Sequence, residues 1–482
     1  MTITLIFTFT GIVLIGVLGF VGRRTPAADL SEWAVNGRKF GALAMWFLQA
    51  GEVFTTFTFL GMAGLAFSGG VAAMYALPYI PIGYMVLFFL AKRLWSMGRE
   101  RGYLTQGDFL EDRFGSRFLG TLAAVLGVLF VLPYLQLQIT GLGLIVKLVT
   151  GDAVSSTLSM VVGCVLVVAF VLWAGLRGVA TTSYFKDVVM LIVLVVLLVA
   201  VPAHFAGGLS GVFHKIDQLH PQLLTIHNGT NDHVWFITSM LVSAIGVGLM
   251  CLPHTWPALF SARDPKVLRR NYTWMPLYEL CLMLPMVIGF AAVLVLPKNS
   301  DSNGILLSLS KTVLPGWATG LVVVAAIATA MVPAAGILIG ISSLVARNVV
   351  RVRGERKQFW VNHGTVVVAC GVSLLLGIFR PDLLANLLLL TYSGSVQLAP
   401  ANVLGFTRRV PIGKGPVLAG LIVGELVVIW LTFFDTHLVG HVNVGLVGLA
   451  ANIVVLLAGA LAERRTRRMR VSEVSDDVAV TA

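Results

Sequence analysis

The chain has 482 residues, 57% hydrophobic and 12% charged, with a mean hydropathy of +0.90. Soluble domains carry about 25% charge, so a soluble enzyme is excluded and an all-α integral membrane protein is expected. The formal net charge of +12 suggests a polyanion partner only until its distribution is set against the apolar segments.

Apolar runs, each long enough to cross a bilayer as a helix, recur near 3–21, 41–67, 71–91, 119–149, 155–175, 187–206, 234–260, 273–296, 316–345, 362–379, 383–405, 415–434 and 441–461. They make about thirteen transmembrane helices. No series of alternating ten-residue strands is present, which argues against a β-barrel. The first run lacks a basic flank and a small-residue cleavage site, so it reads as a membrane helix rather than a removed signal. With the N-terminus outside and the C-terminus cytoplasmic, all 34 Lys and Arg except Lys147, Lys215, Lys298, Lys311 and Arg380 fall in cytoplasmic loops and the tail, as the positive-inside rule requires. The basic loops 92–117, 263–270 and 347–357 then read as membrane-edge anchors, not nucleic-acid sites. Four cysteines (Cys164, Cys251, Cys281, Cys370) lie in apolar segments without metal or disulfide spacing. Asn228-Gly229-Thr230, in the loop at 207–233, matches the glycosylation triplet, a short pattern.

Span two carries Glu52 at the centre of FGALAMWFLQAGEVFTTFTFLGMAGLAF. A mid-bilayer carboxylate costs about 2.5 kcal/mol or more, so it is expected to face a cavity, a partner or an ion path. Gln49, Gly51 and the hydroxyls of Thr55, Thr56 and Thr58 surround it. A helix break at Ala50-Gly51 is expected, because exposed backbone is tolerated at this depth only where it lines a site. The competing reading makes Glu52 a packing residue hydrogen-bonded inside the bundle. Tyr75 and Tyr79 flank Pro78 in span three. Asp187 opens span six, where pairing with a basic neighbour competes with a role in ion exit. In span seven, Gly246 and Gly248 precede Pro253-His254-Thr255-Trp256-Pro257, a second expected break. His254 there reads as a gate or proton site, or as a helix cap. Glu279 in span eight faces either the cavity or the packing. Tyr392, Ser393, Ser395 and Gln397 make span eleven unusually polar, while Glu425 lies in a trailing helix where packing or an oligomer contact is the better reading.

The topology repeats. A leading helix and cytoplasmic loop (1–40) precede five helices at 41–206, an external loop at 207–233, five helices at 234–405, trailing helices at 406–462 and a short tail at 463–482 expected to be disordered. Five is odd, so the second block enters the membrane inverted, as in transporters whose broken helices meet at a central site. No Gly-rich P-loop points to ATP.

The cytoplasmic stretch Tyr103-Leu104-Thr105-Gln106-Gly107-Asp108-Phe109-Leu110-Glu111-Asp112-Arg113-Phe114-Gly115 resembles a signature of the sodium:solute symporter family. So do Thr58-Phe59-Leu60-Gly61-Met62-Ala63-Gly64, the 178–187 stretch ending in Lys186-Asp187, and Pro253-His254 followed by Ala262-Arg263-Asp264 and Arg269-Arg270. Together with Glu52-Val53-Phe54-Thr55 and Met331-Val332-Pro333-Ala334-Ala335, these are most similar to the bacterial monocarboxylate permease branch. The resemblance implies a leucine-transporter-type 5+5 inverted repeat with one extra leading and two trailing helices. It also implies a sodium ion held between carbonyls of span two and oxygens of span nine. Gly51 and Phe54 fall on the carbonyl positions, and Thr329 on a backbone-carbonyl position. Val332 and Pro333 stand where the family has two hydroxyls, so the ligand set is depleted for a hard cation. Ala258 stands where the family often has arginine.

These readings converge on a cation-coupled symporter, not an enzyme. It would import a small monocarboxylate (pyruvate, lactate, acetate or propionate) through a bacterial inner membrane by alternating access. The solute contacts are expected among Gln49, Glu52, Thr55, Thr56, Tyr75, Tyr79, His254, Trp256, Tyr392 and Gln397. The coupling cation, Na+ or H+, is expected at Gly51, Glu52, Phe54, Asp187, His254 and Thr329, with Glu52 the leading proton carrier. No Lys or Arg is expected mid-membrane, so broken helix ends would attract the carboxylate. No enzymatic cofactor is implied. The alternatives are the same machine carrying an amino acid or other solute, and a passive facilitator or channel.

Overall fold

The structure, a computed structural model, describes residues 2–23, 30–151, 154–226, 231–434 and 440–480. The triplet at 228–230 lies outside them. Each apolar run is helical, as it must be where backbone groups find no water to bond. Nine helices are long and apolar enough to cross a membrane among the described residues. One of these, Ser156–Ala206, carries the expected spans five and six and turns at Gly175, whose φ of 58° suits glycine. Span one is Thr2–Arg23, and span seven begins at His233–Gly248.

Span nine, Gly316–Val349, runs through the centre: its most apolar 18-residue stretch is entirely buried. It packs on the Ser156–Ala206 helix, on span one and on span four (Arg117–Thr150). Span eight (Pro265–Val293) approaches span two closely enough that a Cβ on Gly289 would come within 2.2 Å of the Ala63 carbonyl, the small-residue contact that lets membrane helices touch.

The loops assigned to the cytoplasm meet at one end. Thr105 and Asp108 form a capping box on Gln106–Phe114. Asp108 also binds Arg347 (2.6 Å) and Asn348 (3.0 Å), tying that short helix to the end of span nine. Arg38 donates to the carbonyls of Gly98, Tyr103 and Phe260, and Phe40 bridges to Ala262.

Two expectations are corrected. The break in span two is not at Ala50-Gly51: Ala42–Val53 remains helical and the chain opens at Phe54-Thr55. Gly51 serves close approach instead, because a Cβ there would lie 2.8 Å from the Ser183 Oγ. The hydroxyls mark the true break: Thr55 Oγ1 accepts from the Phe57 N–H (3.2 Å) and Thr58 Oγ1 from the Thr55 N–H (3.4 Å). The tail does not lose its helix at 463; Val444–Val480 is continuous, in keeping with the absence of any Gly or Pro after Gly459 to end it.

Candidate functional site

Both interrupted helices open toward the middle of the bundle. Span seven stops at Gly248, passes through Met250 with a φ of 56°, and resumes as Thr255–Ser261. A non-glycine residue in that region is held there by its surroundings. The Met250 carbonyl accepts from Asn402 Nδ2 (3.0 Å), Trp256 Nε1 (2.8 Å) and Gln106 Nε2 (3.3 Å), and Asn402 also donates to the Leu249 carbonyl (2.9 Å). Polar side chains thus satisfy the carbonyls freed by this break.

The break in span two is satisfied by a charge. Lys186, fully buried within the Ser156–Ala206 helix, places its ammonium 3.0 Å from the Gly51 carbonyl oxygen, 2.7 Å from that of Phe54 and 2.8 Å from Asp187 Oδ1. It donates to the two carbonyls and forms an ion pair with the carboxylate. The sequence reading put Lys186 in a cytoplasmic loop and expected no mid-membrane cation. That expectation fails because the helix starts at Leu176, just after Gly175, carrying Lys186 about 15 Å along its axis. Asp187 pairs with this basic neighbour, one of its two expected roles.

This ammonium stands where the resemblance put a sodium ion, between the carbonyls of Gly51 and Phe54. The span-nine positions where the resemblance expects two hydroxyls offer none to a metal. Val332 presents a methyl that would lie 3.5 Å from a Cβ on Gly51, and Pro333 follows it in the sequence. A second unit charge within about 4 Å of the ammonium would be opposed by about 4 kcal/mol at an effective dielectric near 20. A sodium ion is therefore not accommodated at this position beside Lys186.

Next to it lies a cavity of about 70 Å³, several times the roughly 10–15 Å³ needed for one water on this measure. Of the expected solute contacts, Gln49, Glu52, Thr55, Tyr79, His254 and Tyr392 line it. The other four are turned to structural tasks. The Thr56 hydroxyl bonds Gln138 (2.7 Å), Trp256 closes the span-seven break, and Gln397 donates to the Gly445 carbonyl (2.9 Å) on the last helix. Tyr75 packs against Tyr79 and Trp235.

Glu52 lies on the cavity wall against span nine, where a Cβ on Gly336 would come within 3.2 Å of its Oε1. His254 packs against Tyr134 and its Nδ1 has no hydrogen-bond partner among the described residues. Glu279 is buried outside the lining, with neither carboxylate oxygen hydrogen-bonded among the described residues. The sequence reading missed Tyr84, Tyr134 and Tyr272 in the lining. Tyr134 sits one turn from Gln138, whose amide carbonyl holds Thr56, and Tyr272 accepts from Gln49 Nε2 (3.2 Å). For Tyr84 and Tyr134, a tyrosine within an otherwise apolar span was the available signal, shared with many interface tyrosines; Tyr272 falls just before the expected run at 273–296.

The family described as "Sodium:solute symporter family" matches residues 33–409. The "Uncharacterized symporter YhjB" of Bacillus subtilis is 32% identical, covering 97% of this chain and 98% of its own. A "Monocarboxylate transport permease protein" of Rhizobium johnstonii is 31% identical over 92% of this chain and 93% of its own. Among solved structures, a Na+-coupled sialic acid symporter superposes with a TM-score of 0.79 at 16% identity, covering 95% of this chain and 96% of that one, a likeness of fold.

Proposed function

This chain belongs to the sodium:solute symporter family, and from that premise we propose that it is a secondary active symporter importing a small monocarboxylate, of the pyruvate, lactate, acetate or propionate type, across a bacterial inner membrane. The supporting observation is the cavity beside the two breaks, walled by Glu52, Gln49 and five tyrosines (Tyr79, Tyr84, Tyr134, Tyr272, Tyr392). Its size suits a solute of a few heavy atoms, and its hydroxyl and amide groups supply donors for a carboxylate. The monocarboxylate permease among the relatives supports the same substrate class.

Glu52 gives a reason for coupling. An anionic solute entering a low-dielectric cavity that already holds a carboxylate is repelled. A cation entering with it, Na+ or H+, removes that repulsion and ties the two movements together. Binding of both from outside favours closure above the site and opening below it. Gln49, Thr55, Tyr79, His254 and Tyr392 are assigned to the solute with Glu52, and Glu52 to the coupling. The basic loops gathered at one end support a cytoplasmic C-terminus by the positive-inside rule.

The test is uptake of labelled pyruvate, propionate and proline in proteoliposomes, with sodium and pH gradients imposed separately. Accumulation of pyruvate or propionate against its gradient is expected. Uptake of proline alone, or equilibration without accumulation, refutes the reading.

A further inference from the structure

We propose that Lys186 is a built-in replacement for the sodium ion: its ammonium permanently fills the cation position at the break in span two, so that transport proceeds without sodium. The inference deepens the symport reading and rests on it for the uptake measurement alone. Three observations carry it. The two carbonyls freed by the break, Gly51 and Phe54, both accept from Lys186, and its charge is paired with Asp187 at 2.8 Å. Val332 faces the same region from span nine, its methyl 3.5 Å from where a Cβ on Gly51 would lie, and neither it nor the adjacent Pro333 carries a hydroxyl, so two of the oxygens the resemblance implies for a mobile hard cation are missing where the chain supplies a tethered one. The site is sealed, with Lys186 0% and Asp187 2% exposed.

A bound sodium would neutralise the negative end of the Ala42–Val53 helix and pin span two to its neighbours. The ammonium does both. It sits at the C-terminal end of that helix, where a positive charge is favoured, and it joins span two to span six through a covalent side chain that cannot dissociate. A mobile ion transmits its concentration to the protein by binding and leaving; a tethered one does not. Of the two coupling cations the proposed function allows, the proton is then the one in use, acting at Glu52 on the cavity wall, and the position between Gly51 and Phe54 is a fixed strut.

The first measurement uses the purified full-length protein and needs no solute. Thermal unfolding in detergent is followed with sodium chloride and with choline chloride at equal ionic strength. The midpoints are expected to coincide, because a ligand that binds only the native state raises the midpoint, by a free energy that grows as the logarithm of one plus the ratio of ligand concentration to Kd, and no sodium site is left to fill. A sodium-specific rise overturns the proposal. The second removes the strut and restores the hydroxyls, in the triple variant Lys186→Ala, Val332→Ser and Pro333→Ser. A sodium-specific rise is expected to appear in it, and a folded variant blind to sodium counts against the assignment. If the variant does not fold, the parent protein still decides. The third is uptake in proteoliposomes. Rates with and without sodium are expected to agree within about twofold, a difference of about 0.4 kcal/mol at the barrier. A strict sodium requirement overturns the proposal. Absence of uptake for every solute under every gradient is a failure of the transport reading, and the unfolding measurements then judge the strut independently.

Discussion

The Lys186 ammonium donates to the Phe54 carbonyl across 2.7 Å, joining residues 132 positions apart in the chain. Together with the bond to Gly51, it makes the opening of span two an electrostatic junction, whereas the opening of span seven is closed by Asn402, Trp256 and Gln106. The two breaks thus have different consequences for mutation.

Replacing Lys186 with Met leaves Asp187 and two backbone carbonyls buried without their cation. Removing one partner of a buried pair costs about 3–5 kcal/mol. The double variant Lys186→Met, Asp187→Asn removes the stranded charge and is expected to recover part of that loss. A double-mutant cycle on thermal midpoints in detergent checks the coupling; simple additivity would show that the pair does not interact.

Glu52→Gln keeps the shape of the side chain and removes its charge. Membrane content is expected to match the parent, while concentrative uptake falls by more than about tenfold, equivalent to roughly 1.4 kcal/mol at the barrier. Counterflow exchange of solute at equal concentrations checks whether binding survives. Unchanged accumulation would return Glu52 to the packing role.

The tyrosines divide by position. Tyr79→Phe and Tyr392→Phe each delete a hydroxyl from the cavity wall and are expected to raise the apparent KM by about 2–12-fold, the worth of a typical hydrogen bond. Tyr75→Phe, whose hydroxyl has no partner among the described residues and lies outside the lining, is expected to stay within about twofold on the same scale. Initial rates over a concentration series separate them.

At the opposite end from the basic loops, Asp232 caps His233–Gly248 through the Trp235 N–H (2.8 Å) and pairs with His441 Nδ1 (2.7 Å). The Trp235 N–H first, and His441 second, hold its carboxyl below the usual carboxylate value. The sign follows from linkage: a depressed pKa stabilises the fold above the unfolded value, near 3.9 for aspartate, and that contribution is lost as pH falls through the folded value. The gap in thermal midpoint between the parent and Asp232→Ala is therefore expected to be full at neutral pH and to narrow below about pH 4. A gap independent of pH would refute the charged cap.

The sequence by itself determined the class of this protein. Thirteen apolar runs, the one-sided placement of most basic residues and the odd-numbered blocks are local or additive properties, and the resulting fold needs no distance between helices to be read. The polar residues of span two also gave away the neighbourhood of the site, since Glu52 and the threonines are conspicuous in apolar surroundings. Tertiary structure alone decided how that neighbourhood is used. Lys186 reads as a loop residue beside its apolar run until the helix is seen to begin at Gly175 and the carbonyls of Gly51 and Phe54 are seen to meet its ammonium. Trp256 and Gln397 read as solute contacts until their own backbone partners claim them. Burial and hydrogen-bond satisfaction depend on which helices come side by side, and no periodicity along one segment records its neighbours.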